Sequence, residues 1–133
     1  MNARATGYWI ATAFIALETL AGGVTDLIRG RAMLVAGTPV VEVITPLGYP
    51  VYVLTILGVW KVLGAIVLLA PRFPRLKEWA YAGIFFELTG AAASQAFRGN
   101  WSDVPTPLIL TAVTIASWSL RPPNRTLPQG DAA

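Results

Sequence analysis

The 133-residue sequence contains no cysteine and no histidine, and methionine only at Met1 and Met33. Without cysteine there is no disulfide and no thiol redox relay, and without histidine the usual zinc sites and histidine-ligated haem are excluded. Two methionines make a poor case for thioether ligation, so no metal and no bound cofactor are expected. Charge is scarce as well: 13% of residues are charged and 55% hydrophobic, against about 25% charged in an ordinary soluble domain. Too little polar material remains to coat a soluble surface. The net charge of +3 comes from basic residues that flank apolar runs. They fit orientation in a bilayer better than nucleic-acid binding, because basic residues interleaved with aromatic stacking partners are missing.

What is present is four apolar runs, at residues 8–28, 49–70, 77–97 and 104–120. The second is 22 residues long, about 33 Å at ~1.5 Å per helical residue, which matches a hydrocarbon core of about 30 Å. The fold expected is all-α, a four-transmembrane-helix bundle forming one domain over residues 1–123, followed by a polar, disordered tail at 124–133. The first run is too long for a cleavable leader and holds Glu18 at its centre, so it is expected to be retained. Residues 29–48 hold Arg29, Arg31, Glu42, Pro39 and Pro46 and cannot span. They form an interfacial connection, with Thr38-Pro39 before Val40, Val41, Val43 and Ile44 reading as a cap and a short helix that Pro46 ends. An extended β-branched strand is the alternative there.

Pro71-Arg72-Phe73-Pro74-Arg75-Leu76-Lys77 makes a tight basic turn between the second and third runs. Four spans put Arg4, Arg72, Arg75, Lys77, Arg121 and Arg125 on one side, and Arg29, Arg31 and Arg98 on the other. Six basic residues against three predict that both termini are cytoplasmic.

One residue organises the whole pattern. Lys61 stands in the middle of the second run, where an ammonium group costs roughly 3 kcal/mol to insert and should face protein and find an anion. Gly58, Gly64 and Ala65 lie at helical spacing beside it and let another helix approach. Counted along antiparallel helices from the cytoplasmic boundary, Glu18 and Glu87 come at about 15 Å and Lys61 at about 14 Å. A buried Glu18–Lys61–Glu87 cluster is expected. One lysine neutralises one carboxylate, so the second acid in the same low-dielectric space is expected to hold a proton. Asp26 shares the stripe of Glu18 and Gly22; its plainer reading is a solvated residue pairing with Arg29. On the third run Gly83, Gly90, Ala91 and Ser94 share the face of Glu87, with Gln95 one position round. Glu18, Asp26, Lys61, Glu87, Ser94 and Gln95 are therefore the candidate ligand-binding residues, and Glu87, Lys61 and Glu18 the candidates for any catalysis.

Four segments give the chain a family likeness: Leu47-Gly48-Tyr49-Pro50, Leu54-Thr55-Ile56-Leu57-Gly58-Val59-Trp60-Lys61-Val62-Leu63-Gly64, Pro71 through Gly83, and Leu88-Thr89-Gly90-Ala91. With these the sequence resembles the DoxX-like integral membrane proteins of bacteria over most of residues 8–123. The resemblance implies a multi-pass protein of four helices in the inner membrane and a loose association with quinone-linked oxidoreductase systems and oxidative-stress complexes. It implies no agreed catalytic activity. This chain has Glu87 where such proteins commonly carry an aspartate, and Ser94-Gln95 where a Ser-His pair is common.

Three readings of function follow. A mid-bilayer polar pocket binds an apolar molecule such as a quinone, as accessory to a redox protein partner. Alternatively, a stand-alone membrane enzyme does acid-base chemistry on an amphiphile, by epoxide opening or carbonyl isomerisation, with Glu87, Glu18 or Asp26 as acid and base. Or the buried charges only fix helix register in a structural or assembly subunit. A homo-oligomer is compatible with all three.

Overall fold

The computed structural model of the protein describes residues 2–28 and 40–128. Every long element in them is a helix: α1 at Ala3–Leu27, α2 at Val40–Ile44, α3 at Tyr52–Leu69, α4 at Pro74–Phe97 and α5 at Pro105–Ser119. Two single 3-10 turns, Trp101–Asp103 and Pro123–Arg125, follow α4 and α5.

Local chemistry sets the boundaries. The Asn2 side chain caps α1 by accepting from the Ala5 amide at 2.8 Å, the ordinary N-cap arrangement. Proline opens α4 at Pro74 and α5 at Pro105, where its missing N–H is no loss. Between α3 and α4 the chain reverses through Arg72 and Phe73, both with positive φ, 70° and 55°. The strand alternative for residues 40–44 is not what forms, since Val40–Ile44 is a short helix. Its proposed cap, Thr38-Pro39, lies outside the described residues.

α1 packs along α3 and α5, and α4 along the same two helices. Ile15, Leu68, Tyr81 and Ile84 make the apolar centre, one or two from each of α1, α3 and α4, and α5 adds Leu110 and Val113 at its edge. A hydroxyl knot sits beside it. Ser117 Oγ lies 2.7 Å from both Thr12 Oγ1 and Tyr81 Oη, joining α5 to α1 and α4.

Polarity is arranged opposite to that of a water-soluble protein. Thr12, Lys77 and Ser117 are fully buried, whereas Ile10, Leu17, Trp60 and Phe86 are each more than 60% exposed. Apolar outer surface on this scale needs something other than water to cover it. Ala3–Leu27 and Tyr52–Leu69 are both long and apolar enough to cross a membrane. The expectation of four such helices is met only in part. α4 has the length but carries Arg75, Lys77, Glu78 and Glu87, and α5, at 15 residues, rises only about 22 Å.

The chain is held against the bundle just before the expected 124–133 tail and at its start. Arg121 and Arg125 are buried, at 7% and 8% exposure. Arg125 donates to the Leu68 carbonyl at 3.1 Å, the Leu69 carbonyl at 3.5 Å and the Tyr8 hydroxyl at 3.3 Å. A guanidinium in this position satisfies carbonyls that the end of α3 leaves without helical partners.

Candidate functional site

α1 and α3 run antiparallel and cross where glycines face each other. A Cβ on Gly23 would stand 2.9 Å from Lys61 Cβ and 3.1 Å from the Gly58 carbonyl oxygen. A Cβ on Gly22 would lie 3.6 Å from Lys61 Nζ. Glycine at these positions lets the lysine stem lie across the face of α1.

The ammonium is held between two carboxylates. Lys61 Nζ is 2.8 Å from Asp26 Oδ2 on α1 and 2.7 Å from Glu87 Oε1 on α4, so one cation ties three helices. Asp26 is almost wholly buried, and beyond the ion pair its Oδ2 has no hydrogen-bond partner. Lys61 and Glu87 keep 19% and 25% of their side-chain surface exposed. The triad carries one more negative than positive charge when all three groups are ionised. A Cβ on Gly64, one turn along α3, or on the exposed Gly83 or Gly90, one turn either side of Glu87, would meet nothing within 4 Å.

Glu18 is not an ion-pair partner of Lys61, contrary to the expected Glu18–Lys61–Glu87 grouping; Asp26 takes that place. Equal heights along the backbone do not bring side chains together, because helical side chains lean toward the N-terminus of their own helix. Lys61 leans toward the start of α3, which lies beside the end of α1, and Asp26 leans back to meet it. Glu18, on the same helix but below the ammonium, leans the same way as Asp26 and so away from Lys61. It remains half-buried one turn below Gly22, within the electrostatic field of Lys61, Asp26 and Glu87. Asp26 is accordingly not the solvated residue of the plainer reading, and Arg29, the partner named there, lies outside the described residues.

Ser94 and Gln95 are not brought to Lys61. Ser94 Oγ donates to the Gly90 carbonyl at 2.8 Å, so it accepts from the Tyr49 hydroxyl at 2.6 Å. Gln95 Oε1 accepts from Asn100 Nδ2 at 2.9 Å. Both residues secure the loops at the far end of α4, about 10 Å along the helix from Glu87.

At the other end of the helices lies a polar network that sequence reasoning missed. Arg121 Nη2 is 2.6 Å from Glu78 Oε1, Glu78 Oε2 accepts from Trp118 Nε1 at 3.0 Å, and the Arg121 guanidinium lies over the rings of Tyr81 and Trp118 at 5.3 and 5.5 Å. Arg125 covers Trp9 at 4.7 Å. Lys77, fully buried, donates to the carbonyls of Val67 and Ala70. In the sequence these residues look like ordinary flanking charges, and no spacing distinguishes them. Among the described residues no three acidic side chains gather in a metal-holding arrangement.

Comparison with curated proteins gave no match, and comparison with solved structures gave none either. A family model described as the DoxX-like family matches residues 10–117, a stretch that runs from α1 to α5 and contains Glu18, Asp26, Lys61 and Glu87. With that match over most of its length, and with the outward apolar faces and two membrane-length helices already described, this chain belongs to the DoxX-like family.

Proposed function

We propose that the protein crosses the bacterial cytoplasmic membrane four times with both termini inside, and that the Asp26–Lys61–Glu87 triad receives the polar end of a lipid-soluble molecule, a quinone being the best fit, in support of a redox partner. The observation that carries this reading is the incomplete enclosure of Lys61 and Glu87. A charge pair that served packing alone would be expected to be sealed, whereas both groups keep exposed surface beside Gly64, Gly83 and Gly90. A carbonyl oxygen entering there would accept from the ammonium, and the acid in excess would supply a proton. Glu18, about two turns before Asp26 on α1, is a second proton store. α5 spans despite its length by local thinning of the bilayer, a modest cost for a short helix.

The test is ligand-dependent thermal stabilisation of the purified protein by quinones of differing chain length. The proposal expects a shift in the wild type that disappears in Glu87→Gln while the fold is kept. A wild type that shows no shift with any quinone would refute it.

A second reading, that of a structural or assembly subunit, draws support from the near-complete burial of Asp26 and from the way Lys61 ties α1, α3 and α4 together. On that reading the triad fixes how α1, α3 and α4 are registered, and replacing all three charges together leaves partner activity intact. The acid-base enzyme gains nothing specific from the geometry.

A further inference from the structure

The basic end carries two adjoining cavities that differ in character. One, of about 240 Å³, is an outward-facing cleft between α4 and α5 lined by Ala82, Phe85, Thr114 and Ile115, with Glu78 and Trp118 at its mouth. The other, of about 630 Å³, is lined by Arg4, Arg121, Pro123, Thr126 and Leu127. Arg121 joins them, since it lines the second while pairing with Glu78 and covering Trp118 of the first.

Among the described residues, charge at this end does not balance. Arg4, Lys77, Arg121 and Arg125 come together from the start of α1, the start of α4 and the segment after α5, and the one carboxylate paired with any of them among the described residues is Glu78. Arg4 spends one donor on the Ser119 carbonyl at 3.1 Å, and Arg125 and Lys77 are directed at carbonyls of α3. The C-terminal dipole of α3 supplies about half a negative charge, well short of what four cations call for. Arg4 is exposed, with guanidinium donors left over, whereas the Thr126 hydroxyl on the same wall donates to the Pro123 carbonyl at 2.9 Å.

We infer that this end is a binding site for one anionic phospholipid, its phosphate in the Arg4–Arg121–Thr126 cavity and one acyl chain in the α4–α5 cleft. An apolar trough opening outward beside a cation-rich cup is the shape that an amphiphile of this class fills. Basic pockets at helix ends are a recurrent way of holding lipid headgroups. A free phosphate or phosphorylated metabolite would use the cup alone, and neutral lipid the trough alone.

Native mass spectrometry of the full chain in neutral detergent, titrated separately with phosphatidylglycerol, phosphatidylcholine and inorganic phosphate, separates these cases. One phosphatidylglycerol is expected to be retained in clear preference to phosphatidylcholine. Arg4→Gln, at an exposed position, should weaken it about fivefold, the equivalent of about 1 kcal/mol per surface cation. Ala82→Phe should fill the trough and release the lipid without affecting any phosphate binding. Equal retention of the two lipids, retention untouched by both variants, or binding of inorganic phosphate with no lipid bound would each overturn the inference.

Discussion

A Cβ added to Gly58 would stand 2.8 Å from the carbonyl oxygen of Gly23, so α1 and α3 meet in near backbone contact just where Lys61 reaches across. The same contact places Leu27 Cγ 2.8 Å away. No side chain, however small, fits at this crossing unless the helices part.

Gly58→Ala should therefore lower thermal stability although alanine is the better helix former by about 1 kcal/mol. The displaced backbone costs about 1–3 kcal/mol, and the net loss is measured by thermal unfolding in detergent. Gly90→Ala is the contrasting case. Its Cβ enters open space, so propensity alone acts and stability should rise by up to about 1 kcal/mol.

Asp26→Asn should cost more stability than Glu18→Gln, since Asp26 holds the ammonium at 2.8 Å and Glu18 forms no ion pair. Lys61→Met is expected to be worse than either, at about 3–5 kcal/mol, because it leaves two carboxylates without their cation. Adding Asp26→Asn and Glu87→Gln to Lys61→Met should recover most of that loss in the same unfolding assay. Independent, additive losses would show that the three groups do not act as a unit.

Arg125→Ala removes the donor to the Leu68 and Leu69 carbonyls and to the Tyr8 hydroxyl. A loss of about 2 kcal/mol is expected for charge-assisted bonds of this kind. Limited proteolysis gives a second readout: the segment through Arg125 resists cleavage in the wild type and is cut readily in the variant.

Topology can be checked cleanly because the chain has no cysteine of its own. An Arg72→Cys variant, with its probe on the exposed α3–α4 turn, should react with a membrane-impermeant maleimide only after cells are opened. Asp103→Cys, in the turn before α5, should react in intact cells once an outer barrier is permeabilised. Labelling of both from the same side would rule out four spans.

The helices were largely legible in the sequence because apolar runs and proline placement are local signals. Residues 49–70 and 77–97 predict α3 and α4 to within three residues at every boundary. The Lys61–Glu87 pairing was legible too, from depth alone, and the family likeness rested on words that the family model also covers. Asp26 was misjudged because distance along a helix axis ignores the direction in which side chains lean, a displacement large enough to exchange one acid for another a turn or two away. Arg121 and Arg125 were out of reach for a different reason. Arg125 is held by main-chain carbonyls at the end of α3 and Arg121 by the Trp118 and Arg125 carbonyls beside its Glu78 pair, and a carbonyl without a helical partner leaves no mark in the amino-acid code. The hydroxyl knot of Thr12, Tyr81 and Ser117 lies between these extremes, since each residue interrupts an apolar stretch but nothing in their spacing says that they meet.

Arg125 also sets a timetable. It lies 57 residues after Leu68 and 117 after Tyr8, the two groups it fastens together. At about 5–20 residues per second, a ribosome leaves the first and third helices waiting several seconds for their latch. Through that interval the nascent protein has its membrane segments but not its closure, and any factor that attends its birth would find the Leu68 and Leu69 carbonyls still free to be held.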